Sequence, residues 1–294
     1  MNFHIVTPSF NQSAWLRLCL ASVRDQVEAD PDLHVHHHVQ DGGSTDETAA
    51  VLAAHQAASG DYNNRYTFSF TQEPDDGMYD AINRGWRLAD ESVDVVAHLN
   101  CDEQYLRGAL ARVAQFLNAR PTVDIALGDV IVIAPDGTCR CVRQVLRPTR
   151  YHTQLHYLDT FTASLFMRRR VLAADDAWFD PAWRVAGDMA WMLARLQAGT
   201  RMAVARDYWA TFVDTGENLA LSEAGQAERA RLRQRAPAWA RALRPVWLAG
   251  QRVRRLCHGL YWPKAVQYAI YTADSPAERE RFRAERPSAR WGGR

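Results

Sequence analysis

For about the first 120 residues, short apolar runs alternate with amphipathic stretches, and this alternation constrains the fold more than any other feature of the chain. Phe3 to Val6 reads as a buried strand. A loop, Thr7-Pro8-Ser9-Phe10-Asn11, leads into a helical pattern carrying Trp15, Leu16, Leu18, Leu20 and Val23, with Asn11 or Ser13 as its cap. Leu33 to Val39 is a second strand. Ser44-Thr45-Asp46-Glu47 has the form of a capping box, serine at the cap and glutamate three later, and opens a helix to about Ala58. Tyr66 to Phe70 alternates like a strand, and a helix pattern runs from about Tyr79 to Ala89. Val93 to Leu99 is almost continuously apolar, as a strand covered on both faces requires. Strand and helix in turn predict an α/β protein whose mostly parallel sheet is flanked by helices.

The pattern then changes. Ile125 to Ile133 and Thr138 to Val145 flank Pro135-Asp136-Gly137, a hairpin signal. Phe161 to Met167 is another strand. Asp188 to Leu196 reads as a helix stopped by Gly199. Beyond about Leu221 the chain is rich in arginine and aromatic residues, and Pro237, Pro245 and Pro263 divide it into short helices. The expected division is a main unit over 1–220 and a helical extension over 221–294.

Composition bounds the answer. With 294 residues and 47% hydrophobic residues the chain can build one sizeable core with room for an appendage. A net charge of +1 gives no general argument for nucleic-acid binding. Lys264 is the only lysine, a compositional bias without functional content. Five scattered cysteines, Cys19, Cys101, Cys139, Cys141 and Cys257, describe neither a disulfide framework nor a zinc site, and a reducing cytosol is the simpler reading. The amino terminus enters a strand at once, without the regions of a secretion signal, and no apolar run reaches the roughly 18 residues of a membrane span. The expected location is cytoplasmic, with contact at the inner face of the cell membrane as an option discussed below.

Acidic clusters sit where strands run out into loops: Asp41 in Asp41-Gly42-Gly43-Ser44-Thr45-Asp46, the segment Glu73-Pro74-Asp75-Asp76-Gly77-Met78-Tyr79-Asp80, and Asn100-Cys101-Asp102-Glu103. Acids at the carboxyl ends of parallel strands face the crevice where ligands bind. Gathered there, they repel unless a cation or hydrogen-bond donors lie among them, and a divalent metal bridging a pyrophosphate suits them.

These motifs resemble glycosyltransferase family 2, inverting enzymes with the GT-A fold. Ile5-Val6-Thr7-Pro8-Ser9-Phe10-Asn11 resembles its opening strand, and Asp41-Gly42-Gly43-Ser44-Thr45-Asp46 its second strand end. Glu73 to Gly85 is similar to the group that builds bacterial surface polysaccharides. Leu99-Asn100-Cys101-Asp102-Glu103 resembles the metal-binding strand end. Phe179-Asp180 with Arg184-Val185-Ala186-Gly187-Asp188-Met189-Ala190-Trp191 resembles the catalytic-base segment. The resemblance covers roughly residues 3 to 220.

It implies that Asp41 accepts a ring N–H of the base of a nucleotide sugar, beside the backbone of Thr7, Pro8 and Ser9. It places Glu73 and Asp75 over the ribose and donor sugar, with Asn100 also on the donor side. Asp102 would meet ribose or metal and Glu103 the metal, Mn²⁺ or Mg²⁺; glutamate stands second where the family usually has aspartate. Asp188 would be the general base. Asp41 also reads as an ordinary turn aspartate, Asp188 as a helix cap, and Arg84 either as a phosphate ligand or as a partner of Asp80 four residues earlier.

The implied reaction moves one sugar from a nucleotide-diphosphate donor to a glycan or lipid-linked glycan. The absence of a Gln-x-x-Arg-Trp motif speaks against processive synthesis, and Phe212 to Asn218 stands where relatives carry a closing loop. A sugar nucleotidyltransferase would need a glycine-rich basic loop after the first strand, which Thr7 to Asn11 does not supply. A non-catalytic binding module with the same fold stays open. The histidines at 34, 36, 37 and 38 would lie on a strand, His37 facing away from the other three. The arginine and aromatic tail has two readings: contact with an anionic membrane, or packing on the catalytic domain or on a second copy of the chain.

Overall fold

Strand β1 (Asn2–Ser9) is buried from its second residue to its end, as an apolar run in the middle of a sheet must be. The computed structural model describes residues 1–61, 64–173, 177–216 and 222–291. β1 pairs in parallel with β2 (His34–Asp41) on one side and with β4 (Val95–His98) on the other. β2 pairs in parallel with β3 (Tyr66–Gln72). Helices α1 (Ser13–Arg24), α2 (Thr48–Ala58) and α3 (Met78–Trp86) connect these strands. α3 lies so close to β1 that a Cβ on Gly85 would stand 2.4 Å from Val6 Cγ1, so only glycine fits there.

The sheet continues in the order β3-β2-β1-β4-β8-β6-β9-β5. β8 (Leu165–Arg168) is antiparallel to both β4 and β6 (Ile125–Ile133). β9 (Met202–Val213) runs parallel to β6, and the short β5 (Gln104–Tyr105) closes that edge. The long ladders are parallel, so the expected α/β sheet is what forms. α4 (Ala109–Asn118) and α6 (Gly187–Gln197) cover it, and α5 (Arg150–Leu155) packs on α6. One face buries Phe3, Ile5, Leu110, Phe166 and Trp209. The other buries Val6, Ile82, Trp86, Leu165 and Trp191.

The hairpin at Pro135-Asp136-Gly137 forms as expected between β6 and β7 (Cys139–Arg143): Gly137 has φ 86°, and Asp136 Oδ1 accepts from Thr138 N at 2.9 Å. The caps differ. α2 begins at Thr48, and Ser44 donates to Asp41 rather than capping the helix. Asp46 takes the capping work, accepting from Thr48 N at 3.0 Å and Ser13 N at 2.9 Å. Asn11, expected as a cap of α1, instead accepts from Thr45 N at 2.8 Å. Tertiary pairing of the two loops wins over the local capping pattern.

The tail also differs. α7 (Glu223–Gln234), α8 (Ala238–Ala242) and α9 (Arg244–Cys257) are the expected short helices, with Pro237 just before α8 and Pro245 in the first turn of α9. They are followed by an unexpected antiparallel hairpin, β10 (Val266–Ile270) and β11 (Glu280–Ala284). Val266, Tyr268 and Ile270 pack on Leu106, Ile131 and Val142 of the main sheet. Gln104 and Tyr271 exchange two hydrogen bonds of 2.8 and 2.9 Å, and Arg279 reaches Asp25 at 2.8 Å. Among the described residues no helix is long and apolar enough to cross a membrane.

Candidate active site

Because β1, β2, β3 and β4 are parallel, their carboxyl ends share one edge. Ser9, Asp41, Glu73 and Asn100 stand there. Backbone bonds knit the edge together: Gly42 N donates to Ser9 O at 2.9 Å, Glu73 N to Asp41 O at 3.0 Å and Leu99 N to Val6 O at 2.9 Å.

The Asp41 carboxylate is fully buried and accepts from Ser44 Oγ at 2.6 Å, Ser44 N at 2.9 Å and Gln72 Nε2 at 3.3 Å. It therefore makes the turn contacts that its Gly-Gly-Ser context allows. Asp75 folds over the same loop: a Cβ on Gly42 would stand 2.9 Å from Asp75 Oδ2. Asp75 Oδ1 accepts from Gly77 N at 2.8 Å, and Gly77, with φ 101°, makes the sharp entry to α3. Arg84 pairs with Glu73 at 2.8 Å and Asp80 at 2.7 Å, so its guanidinium already spans two carboxylates. Thr7 turns its hydroxyl inward to His37 Nε2 at 2.9 Å, leaving only its backbone for the edge, where Pro8 follows it without an N–H.

The end of β4 differs in kind. Glu103 is 1% exposed and its Oε2 accepts from Asn100 N at 2.9 Å, while Asp102 beside it is partly exposed. Burial, and then the charge of Asp102, push the Glu103 carboxyl up to about 8; burial also raises Asp102. Ser9 Oγ and Asn100 Oδ1, on the neighbouring ends of β1 and β4, are buried without a hydrogen-bond partner among the described residues. Unsatisfied oxygens beside two strained carboxylates suit a cation or the hydroxyls of a ligand. No group of three or more His, Cys, Asp and Glu side chains among the described residues is placed to hold a metal. A cation here would thus take one or two carboxylates from the chain and the remainder from phosphate and water, the usual habit of Mg²⁺.

Asp188 opens α6. Burial raises its carboxyl to about 6, against the opposing effect of a 2.7 Å hydrogen bond from Met189 N. Its backbone N–H donates to Tyr79 Oη at 3.2 Å, and that hydroxyl donates to Val185 O at 2.9 Å. A Cβ on Gly187 would stand 2.5 Å from the Tyr79 ring, so glycine lets α3 close on α6. Asn83 exchanges bonds of 2.7 and 2.9 Å with the backbone of Phe179, whose ring stacks on Trp86 with centroids 5.2 Å apart. Arg184 donates to Asp76 O. From α7, Glu228 accepts the N–H groups of Arg184, Val185 and Ala186 at 2.7, 2.9 and 2.7 Å.

The strand-end acids and the Asp188 segment are thus tied together through α3. Three contributors were not foreseen. Tyr79 and Asn83 stand in the motif quoted for its acids, and their polar groups on a buried helix face were the available signal. Glu228 had none, since it acts from beyond residue 220.

Of the loop after β9, Asp214 N donates to Ile133 O at 2.7 Å and Gly216 has φ 85°; Glu217 and Asn218 lie outside the described residues. The histidines form hydrogen-bonded contacts along the sheet: His4 Nδ1 with His36 Nδ1 at 3.0 Å, and His36 and His38 each with Ser69 Oγ at 2.9 Å. His37 faces the other side.

The profile described as Glycosyl transferase family 2 matches residues 4–174. A PGL/p-HBAD biosynthesis glycosyltransferase of Mycobacterium bovis (strain BCG / Pasteur 1173P2) is 34% identical over 131 residues, 44% of this chain and 47% of the relative. The Mycobacterium tuberculosis (strain ATCC 25177 / H37Ra) protein of that name gives the same figures. The chain spans about half the length of the curated relatives it matches. Among solved structures, S. aureus TarS 1-349 in complex with UDP-GlcNAc has a TM-score of 0.57 at 18% identity, over 87% of this chain and 73% of that one. The mannosyltransferase PcManGT of Pyrobaculum calidifontis, in complex with GDP-Man and Mn²⁺, has a TM-score of 0.50 at 14% identity, over 87% and 79%. At these identities the likeness is one of fold, and the fold is GT-A-like.

Proposed function

Since the chain belongs to glycosyl transferase family 2, we propose that it transfers one sugar from a nucleotide-diphosphate donor to a hydroxyl of a glycan or lipid-linked glycan, with inversion at the anomeric carbon, in cell-surface polysaccharide synthesis. The observation that carries the reading is the placement of Asp188. It is a carboxylate raised to about 6 by burial, at the start of a helix that α3 clasps against the acid-bearing strand ends. A general base works best with a pKa near the working pH, and perturbed carboxylates in a cleft are candidates for that role.

The donor would lie along the ends of β1, β2 and β4. Asp41 and the backbone of Thr7, Pro8 and Ser9 would receive the base, and Glu73, Asp75 and Arg84 would border the ribose and sugar. Asn100 and Asp102 would face ribose and diphosphate. Asp102 and Glu103 would hold Mg²⁺ or Mn²⁺; of the two residues Asp102 is the more exposed, and Glu103 would reach a cation by releasing Asn100 N–H. When bound, such a cation supplies Lewis-acid stabilisation of the departing diphosphate. Asp188 Oδ would take the proton of the acceptor hydroxyl as the glycosidic bond forms and the bond to the diphosphate breaks. Tyr79 and Glu228 would be positioning residues that fix the 184–188 backbone. A lipid-linked acceptor would give the enzyme reason to work at the inner face of the cell membrane.

Thermal-shift measurement with a panel of nucleotide sugars, with and without Mn²⁺, tests the reading. A matching donor raises the melting temperature by mass action and does so more with the metal. No stabilisation by any nucleotide sugar, in either condition, would count against it.

A further inference from the structure

Helix α9 is inside out. Its two fully buried residues are Gln251 and Arg255, both polar. Leu243, at its cap, and Val246, Val253 and Leu256 within it are 44–56% exposed. With Gly250 and the exposed Cys257, positions 243, 246, 250, 253 and 257 recur every three to four residues, so the exposed apolar groups form one stripe along the helix. Trp239 on α8 and Trp262 just after α9 are exposed at its two ends.

Trp247 packs on Tyr151, Leu155, Ala236 and Ala240, and a buried acid fixes the polar side of the helix. Asp159 is buried and accepts from Arg255 Nη1 at 3.0 Å, Gln251 Nε2 at 3.0 Å and Arg143 Nη2 at 3.0 Å. This clamp pins the polar side of α9 to the body of the protein and turns the apolar side outward. A contiguous exposed apolar surface rimmed by polar groups marks an interaction site.

Charge selects the occupant. From Arg229 to Ala273 the chain has nine arginines, Lys264 and no acidic residue. Arg241, Arg244 and Arg252 are exposed, and their side chains have no ion-pair or hydrogen-bond partner among the described residues; Arg252 lies one turn before the exposed Leu256. A symmetric contact with a second copy would bring these cations face to face without a counter-charge. A surface offering both apolar depth and negative charge satisfies both halves of the face, with tryptophans at the interface and guanidiniums among headgroups.

We propose that the α8–α9 face is the surface by which this protein lies on an anionic bilayer. The inference deepens the reading of a lipid-linked acceptor, from which it takes its use but not its argument. The experiment is flotation of the full chain with phosphatidylcholine vesicles, with and without phosphatidylglycerol, in the absence of donor and acceptor. Wild type is expected to float with the anionic vesicles, less so at high salt. The Val246→Glu/Val253→Glu variant, altered only at exposed positions, is expected to lose binding by at least about tenfold, with an unchanged melting temperature. Arg244→Glu/Arg252→Glu is expected to lose the preference for anionic vesicles.

Wild type that ignores anionic vesicles, or both variants binding like wild type, would overturn the proposal. So would a dimer that the Val246→Glu/Val253→Glu change converts to monomer with no vesicle binding, because a second copy would then cover the stripe. A protein that floats yet shows no transfer would strike only at the proposed activity, and one that transfers but does not float only at the membrane face.

Discussion

The acids at the ends of β2 and β3 and those at the end of β4 and the start of α6 differ in how their charge is balanced. On the β2–β3–α3 side, Asp41, Glu73, Asp75 and Asp80 each accept hydrogen bonds or pair with Arg84. On the β4 and α6 sides, Glu103 and Asp188 are raised by burial to about 8 and about 6. Satisfied carboxylates define a shape, since donors already balance their charge. Carboxylates held above their ordinary range keep free energy that a cation or an incoming proton can use. The first set would form the mould for the donor, and the second would be where charge moves.

Substitutions break or sharpen that contrast. Asp188→Asn should lower kcat/KM by about 10²–10⁴-fold, the usual worth of a general base, while donor affinity by calorimetry stays near wild type; equal loss in both would place Asp188 with the mould. Asp102→Ala should cost several kcal/mol of transition-state stabilisation, on the order of 10²-fold or more in turnover, with a higher metal concentration needed for half activity. Glu228→Gln weakens three hydrogen bonds to the 184–186 backbone. It should lower stability by about 1–2 kcal/mol and kcat more than donor affinity; unchanged kcat would make the clasp purely structural. Ser44→Ala removes the 2.6 Å bond to Asp41 and should cost about 1 kcal/mol of stability with at most a small effect on turnover. A turnover loss matching that of Asp188→Asn would erase the distinction between the two sides.

The parallel half was legible because apolar runs with no polar alternation leave β1 and β4 no place but the middle of a sheet. The acids at their ends then follow from topology. The hairpin at Gly137 was legible because the turn needs a positive φ. Ser44 misled because its local capping pattern competes with a tertiary partner, Asp41, that comes from another strand end. β10 escaped notice because Val266, Tyr268 and Ile270 alternate with Gln267 and Ala269 over only five residues. Glu228 was invisible for a different reason: its partners are backbone N–H groups about forty residues away, and backbone carries no sequence signal. The same limit applies to α9, whose helical period was readable while its direction was set by the distant Asp159.

The central claim, that a buried carboxylate at the start of α6 takes the acceptor's proton, is tested most directly by the pH dependence of kcat/KM. Asp188 must be ionised to act. Transfer by the wild type should therefore rise with pH through a midpoint near 6, fall about tenfold per unit below it, and level off above it. Asp188→Asn should lose that limb along with most of its rate. The same limb persisting in Asp188→Asn, or a wild-type rate flat across that range, would contradict the account.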